Sequence, residues 1–379
     1  MRLKTVVKLG TVLSVALFCI AVGFYAFARL DVNNRNRDAN LFSLVPSDCI
    51  SVLESNNINA LLNELPTLNY EAELKNVQPS GLFTFLLHGL NEYAILNAHG
   101  LSSQMSRVVV SMHAPATPRD QVVYLGLGSA DKQMLEDMLQ EYAPSDFLPK
   151  EEVYKGKRIV IYPLGNEEYL ASYMDSDFLV VSLQKRLIEK VIDARMDGNS
   201  LSDDPVFSQI LGQKKSKNLL SLYGRTTDIP FLEAGKECWS EYDFYFNSDV
   251  FYMAGETYQT DTSSVSISDT WQATTFYDDD KVLLSTEKDS LVYYMDNVYE
   301  EDALNRSLFN QCLANLSKEA SLTLVADMSK MANDIASYAD CFPSFLWENV
   351  YQLTPFIVSA QYSWNGNNLS HIWMFTYKN

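Results

Sequence analysis

Ser182 and Lys185 have the residue types and spacing that most directly suggest chemistry in this sequence. Ser182 ends a strand-like run in "VVSLQK", and Lys185 follows one turn later at the start of a predicted helix. In penicillin-recognising enzymes, a lysine three residues after the serine lies on the same helical face and takes the hydroxyl proton. The S-D-N and K-T-G segments that accompany this pair there do not occur in the sequence. Ser182 also suits the cap of the helix that Gln184 begins, and we favour this structural role.

Phosphate-binding and calcium-binding patterns are incomplete. In "LGLGSAD", Gly126 and Gly128 begin a G-x-G-x-x-G pattern, but Asp131 occupies the third glycine position and would repel phosphate. The run "YDDDK" at 277–281 lacks the alternating ligands, central glycine and distal glutamate of an EF-hand loop. We therefore expect a capped turn and a solvated hairpin turn at these two places.

The histidines do not form a zinc pattern. None of them stands in H-x-x-H or H-E-x-x-H spacing, and they occur at His88, His99, His113 and His371. The sequence thus predicts no catalytic residue, no cofactor and no metal ligand, and it favours a protein that is not an enzyme.

Aromatic density provides one hint of a binding function. A segment rich in tyrosine and phenylalanine has alternating, strand-like character, so some of its side chains should face solvent. Exposed aromatic residues with acidic neighbours suit the binding of a protein or a glycan. The alternative is that these strands are buried on both faces. The candidate binding surface comprises Tyr242, Phe244, Phe246, Phe251 and Tyr252.

The surrounding elements alternate between strands and helices. Apolar alternation predicts strands at 49–55, 107–114 and 121–128, and amphipathic spacing predicts helices at 57–65, 184–196 and 204–212. The chain ends in two strands joined by "NGNN", a strong hairpin signal. These patterns predict an α+β fold with antiparallel sheets and packed helices. A loose match between "SDCISVLESNNINALL" and "EASLTLVADMSKMANDI" is compatible with two similar halves.

Residues 9–28 carry no charge and lie between Lys8 and Arg29. As a helix these residues would rise about 30 Å, which matches the hydrocarbon core of a bilayer. We therefore predict a retained membrane anchor with its N-terminus in the cytoplasm. A signal peptide cleaved after Ala28, or a lipoprotein signal at Cys19, is the alternative. The predicted organisation is an anchor or signal segment (1–28), a tether (29–43), an α+β domain (44–215) and an aromatic-rich α+β domain (216–379).

The charge balance is strongly acidic. The chain has 29 basic and 48 acidic residues, for a formal net charge of −19. Such a surface repels nucleic acid phosphates, so we expect no nucleic acid partner. The four cysteines outside the apolar span allow up to two disulfides, with Cys312 and Cys341 the favoured pair. Buried free thiols are equally compatible with the sequence.

The order of several segments resembles that of uncharacterised exported proteins of Bacteroidota that carry a domain of unknown function. The resemblance runs from about residue 44 onward and rests on "LVPSDCISVLESNN", "VVVSMHA", "DFLVVSLQKRLIEKVID", "SLSDDPVFSQIL", "CWSEYDFYFNSDVFYMAG" and "SAQYSWNGNNLSHIWMFTY". It implies a location in the cell envelope and transfers no site residue.

These observations predict a single-pass protein of the bacterial inner membrane whose folded part lies in the periplasm. We expect it to bind a protein or an envelope polymer without catalysing a reaction. The alternatives are a serine hydrolase or acyltransferase that uses Ser182 and Lys185, a ligand-sensing module, and a secreted protein released by signal cleavage.

Overall fold

A computed structural model describes most of the chain from residue 40 onward. The predicted anchor, residues 9–28, lies outside the described residues. Within the described residues, no helix is both long enough and apolar enough to cross a membrane. The described residues are 40–70, 107–115, 117, 119–127, 135–136, 148–165, 168–213, 218–228, 232–235, 237–259, 265–267, 276–278, 282–285, 312, 320–332, 350–365 and 368–378.

Strands dominate these residues. The first seven are β1 (Ser51–Ser55), β2 (Val108–Met112), β3 (Gln121–Gly126), β4 (Lys150–Tyr154), β5 (Lys157–Gly165), β6 (Glu168–Met174) and β7 (Phe178–Ser182). The next five are β8 (Leu220–Arg225), β9 (Leu232–Ala234), β10 (Trp239–Phe246), β11 (Val250–Tyr258) and β12 (Val265–Ile267). The last five are β13 (Phe276–Asp278), β14 (Val282–Ser285), β15 (Leu322–Asp327), β16 (Phe356–Asn365) and β17 (Asn368–Tyr377).

Fifteen strands form one sheet in the order β13-β14-β15-β16-β17-β11-β10-β8-β1-β2-β3-β7-β6-β5-β4. Neighbouring strands are antiparallel throughout, and β9 and β12 form a separate pair. The prediction of an α+β fold is therefore wrong, because the described residues are mostly in strands and the strand clusters merge into one large sheet. The pairing of β8 with β1 makes the sheet continuous across residue 215. The division into two domains at that position stays a prediction.

Helices lie on this sheet and are few in the part of the chain that the structure describes. They are α1 (Ile58–Glu64), α2 (Lys185–Asp197), α3 (Pro205–Gln213), α4 (Met328–Met331) and α5 (Val350–Leu353). The longest, α2, buries the apolar stripe that its sequence spacing predicts and ends at Gly198, whose φ of 69° is left-handed. Before α3, Asp204 accepts hydrogen bonds from the amides of Val206 and Phe207 and thereby caps the helix.

Side-chain alternation along the strands produces a core on each face of the sheet. In β2, Val109 belongs to the cluster beneath α2 and α3, whereas Val108 and Val110 belong to a cluster on the opposite face. Leu41 and Phe42 join the cluster beneath α2 and α3, so the last residues of the predicted tether are already folded. The β10–β11–β17–β16–β15 part of the sheet has its own core, which includes Trp373.

Candidate binding site

The structure divides the five predicted aromatic residues between the two faces of the sheet. Phe251 is 7% exposed and belongs to the core of the part of the sheet formed by β10, β11, β17, β16 and β15. Tyr242, Phe244 and Phe246 are partly buried and pack against the same core. Tyr252 pairs across the strands with Tyr245, so these two side chains project from the opposite face. Four of the five side chains thus contribute to packing, and their role in binding stays a prediction.

Tyr245 and Tyr252 form a stacked pair on that opposite face. Their ring centroids are 4.7 Å apart with an interplanar angle of 11°, and Tyr245 is 36% exposed. Asn218 donates a hydrogen bond to the Tyr245 hydroxyl at 3.4 Å, and Met374 lies opposite Tyr252 in β17. The predicted surface omits Tyr245, although strict alternation from Tyr242 would have placed it on the other face. We call Tyr245 and Tyr252 the tyrosine pair.

Ser182 and Lys185 are each engaged by other groups. The buried Ser182 hydroxyl donates to the carbonyl of Gln121 at 2.7 Å and accepts from the amide of Gln184 at 3.1 Å. Lys185 Nζ lies 2.7 Å from Glu152 and 3.2 Å from Glu189. These carboxylates raise the pKa of Lys185, which disfavours the neutral amine that a general base requires. Gln184 is the N-cap of α2, and Ser182 accepts a hydrogen bond from its amide, so Ser182 lies next to the helix start without being the cap that the sequence predicts.

A second hydroxyl lies in a hydrogen-bonded chain that the sequence analysis missed. Ser111 Oγ lies 2.9 Å from His113 Nε2 and 3.0 Å from the Tyr124 hydroxyl. His113 Nδ1 lies 3.7 Å from Asp48 Oδ1. His113 and Lys190 hold the pKa of the Asp48 carboxyl well below its usual range. Asp48 comes from the segment before β1, so only the fold brings it to His113.

The series Asp48, His113 and Ser111 has the residue order of a serine hydrolase triad, but the exposure of its serine and its carboxylate is reversed. In such enzymes the serine meets the substrate and the carboxylate is buried. Here Ser111 is fully buried, whereas the Asp48 side chain is 58% exposed. The contact between His113 Nδ1 and Asp48 is longer than a hydrogen bond, and it brings the segment before β1 next to the end of β2. The arrangement offers no nucleophile to a substrate.

A small cavity lies where β6 and the start of α2 meet the chain before β3. Its volume is about 320 Å³, and its walls are formed by Arg119, Glu168, Tyr169, Leu183 and Gln184. Arg119 and Glu168 form an ion pair. The Gln184 amide group donates to Asp120 at 2.7 Å and to the carbonyl of Arg119 at 3.1 Å. Because Gln184 Oε1 also accepts a hydrogen bond from Arg186, the side chain is fixed from both ends.

The described residues show how the cysteines and the other potential metal ligands are arranged. Among these residues, no group of three or more histidine, cysteine, aspartate and glutamate residues is arranged to hold a metal ion. Cys49, Cys238 and Cys312 are buried, and Cys49 and Cys312 are free thiols. Burial raises the pKa of Cys49 to about 12, so its thiol stays protonated at neutral pH. Cys341, the predicted partner of Cys312, lies outside the described residues.

Comparison with known proteins finds one family. Residues 101–237 match DUF3352, which is described as a protein of unknown function. The match confirms the expected similarity to a domain of unknown function over these residues, while the bacterial phylum and the single anchor stay predictions. The matched residues include the cavity, and the tyrosine pair lies beyond them. No curated protein matches the chain, and no solved structure matches it.

Proposed function

We propose that this chain is a single-pass envelope protein that is anchored by residues 9–28 and binds a partner protein in the periplasm. The uncharged span and its basic flanks support the anchor. The cytoplasmic side is the alternative location of the folded part, and the partner is expected on whichever side that part lies.

Binding rather than catalysis is supported by the state of the candidate nucleophiles. The Ser182 hydroxyl is buried and hydrogen-bonded to backbone groups, and the Lys185 ammonium lies between two carboxylates. Ser111 is also buried, although a histidine lies at hydrogen-bonding distance. Each hydroxyl lacks the accessible position from which a serine nucleophile attacks a substrate.

The observation that carries the proposal is the tyrosine pair, in which Tyr245 is 36% exposed. Tyrosine and methionine are enriched in the cores of protein interfaces, and tyrosine often contributes a large share of the binding energy. Tyr245, Tyr252 and Met374 occupy adjacent strands, with Asp243 on the same face of β10. Because the whole chain carries a net charge of −19, the complementary partner is a protein with a basic surface.

Alkaline extraction of membranes tests the anchor. We expect the full chain with a C-terminal tag to stay in the membrane fraction, because a spanning helix resists extraction whereas a cleaved form washes off. A matched variant carries a cleavable signal peptide in place of residues 1–28 and should appear in the soluble fraction. Release of the unmodified chain would contradict the anchor.

Crosslinking in native membranes, followed by capture through the C-terminal tag, tests the partner. We expect one or two stoichiometric proteins with basic surfaces. The double variant Tyr245→Ala/Tyr252→Ala should lower their recovery at least about tenfold, because it removes two central aromatic contacts.

Tyr351→Ala is the matched control, since Tyr351 is 69% exposed and lies elsewhere in the chain. It should leave the capture unchanged. Recovery of no protein, or equal recovery with the double variant, would overturn the proposed interface. Capture of a polysaccharide in place of a protein would overturn the partner class.

A further inference from the structure

We propose that the cavity lined by Arg119, Glu168, Tyr169, Leu183 and Gln184 binds a neutral saccharide. This site is separate from the tyrosine pair. Five strands lie between β6, which carries Glu168 and Tyr169, and β10, which carries Tyr245. At about 4.8 Å per strand, the two sites are about 30 Å apart within the sheet. The saccharide site therefore does not depend on the proposed protein partner.

The charges of the cavity favour a neutral ligand. Arg119 and Glu168 form an ion pair at the cavity, so their charges offset one another. A charged ligand would have to compete with this pair for one of its members. The guanidinium still has further N–H donors, and the carboxylate has further acceptor positions. Adjacent hydroxyl groups match such a pair, because each hydroxyl both donates and accepts hydrogen bonds.

The other walls favour a ring with an apolar face. Tyr169 is 40% exposed and contributes an aromatic ring, and Leu183 contributes an aliphatic side chain. The C–H groups on one face of a pyranose ring can pack on such a surface while the hydroxyls at its edge reach polar groups. A neutral polyhydroxylated ring therefore satisfies both kinds of wall.

The remaining wall is fixed before any ligand arrives. Gln184 makes three hydrogen bonds, to Asp120, to the carbonyl of Arg119 and with Arg186. Asp120 is itself buried and accepts from the amide of Thr117 at 3.1 Å. A wall that is already ordered does not lose conformational freedom on binding. Its hydrogen bond to the carbonyl of Arg119 also holds that residue beside the start of α2.

The size of the cavity sets the expected ligand and affinity. Its volume of about 320 Å³ is at the lower end of the range for small-molecule sites. One or two sugar rings fit this volume. Because the charged walls remain partly open to solvent, we expect weak binding, with a Kd on the order of 1 mM.

Saturation-transfer NMR on the full chain tests the proposal. The chain is held in a detergent without a sugar headgroup, such as a dimethylamine oxide. The probes are glucose, galactose, mannose, N-acetylglucosamine and their disaccharides, each at about 10 mM. Glucuronic acid and glucosamine serve as charged counterparts, and inositol serves as a neutral ring of similar size. We expect transfer to the ring protons of at least one neutral saccharide and much weaker transfer to its charged counterparts.

Matched variants assign the signal to this cavity. Tyr169→Ala should raise the Kd at least about tenfold. Arg119→Gln leaves the aromatic ring of Tyr169 in place but should also weaken binding. Arg119 is 59% exposed, so its variant should fold even where Tyr169→Ala does not. Tyr351→Ala is the control, because Tyr351 is 69% exposed and does not line the cavity, and it should leave the signal unchanged.

Three results would overturn the proposal. The first is no transfer to any neutral saccharide, and the second is stronger transfer to a charged sugar or to inositol. The third is transfer that survives in both cavity variants. Each result is independent of the protein-capture experiment, because the tyrosine pair is intact in both cavity variants.

Discussion

Gly255→Ala should lower the free energy of unfolding by about 3 kcal/mol or more. A Cβ atom at this position would lie 1.9 Å from the carbonyl oxygen of Glu241 and 2.7 Å from its carbonyl carbon. Both contacts are with backbone, so no side-chain rotation relieves them. β10 and β11 would have to move apart, and the buried interactions on both sides of this position would weaken together.

The close approach at Gly255 has a structural purpose. The regular pairs Ser240↔Thr257 and Asp243↔Ala254 flank this position. Between them, His371 Nε2 from β17 lies 2.8 Å from the Glu241 carbonyl and donates to it. A side chain at position 255 would lie on the route of this hydrogen bond, since His371 Nε2 is 3.4 Å from the Cβ position. Glycine therefore lets a side chain from the next strand cap a carbonyl within the sheet.

Urea unfolding of the full chain in detergent, monitored by tryptophan fluorescence, measures the change in the free energy of unfolding. Gly224→Ala is the matched control, because Gly224 lies in β8 of the same sheet and its added Cβ would meet no atom within 4 Å. We expect that variant to change the free energy of unfolding by no more than about 1 kcal/mol. Equal losses for the two variants would contradict the packing argument.

The sequence predicts individual elements well because their signals are local. Apolar alternation at 49–55, 107–114 and 121–128 corresponds to β1, β2 and β3. The helices predicted at 184–196 and 204–212 differ from α2 and α3 by one residue at each end. Periodicity and caps depend on neighbours a few residues apart, so they can be read without knowledge of the fold.

The assembly of the sheet could not be predicted in this way. β1 pairs with β8, and β11 pairs with β17, so the joining contacts connect residues more than one hundred positions apart. Strand patterns specify which residues are extended and leave the choice of neighbour open. The sequence therefore indicates several antiparallel clusters with packed helices, whereas fifteen of the seventeen described strands form one continuous sheet.

The candidate sites show the same limit. The sequence correctly predicts that the aromatic segment is strand-like, but the core on one face of β10 and β11 decides which rings are exposed. Only the register places Tyr245 beside Tyr252. The cavity joins Arg119, Glu168 and Gln184 from three separate segments, and no short motif marks such a set.

His371 should make stability fall between pH 6.5 and pH 4. The residue is 4% exposed, and burial lowers its pKa from 6.5 to about 4. The ring of Tyr242 lies against it, with centroids 4.3 Å apart, and the Tyr362 ring lies on another side at 5.5 Å. Among the described residues, the backbone groups of Glu241 and Leu369 and the two tyrosine rings lie against His371, and none of these groups carries a negative charge that would stabilise an imidazolium.

The sign follows from proton binding. Between pH 6.5 and pH 4 the unfolded chain binds a proton at His371 and the folded chain does not, so stability rises with pH across this interval. This residue is expected to cost about 3 kcal/mol of stability at pH 4 relative to neutral pH. The stability that neutral His371 contributes is fully present above the pKa of the unfolded chain, and it is lost as the pH falls towards the folded pKa of about 4.

His371→Gln separates this effect from the titration of the carboxylates. Glutamine can still donate an N–H to the Glu241 carbonyl, but it does not ionise in this range. The variant should be less stable than the unmodified chain at pH 7 and should approach or exceed its stability at pH 4. The measurement is urea unfolding of both proteins at half-unit intervals of pH. If the free energies of unfolding of the two proteins changed in parallel with pH, His371 would be protonated or accessible to solvent in the folded state. The assignment of His371 as a neutral, buried donor to the Glu241 carbonyl would then be wrong.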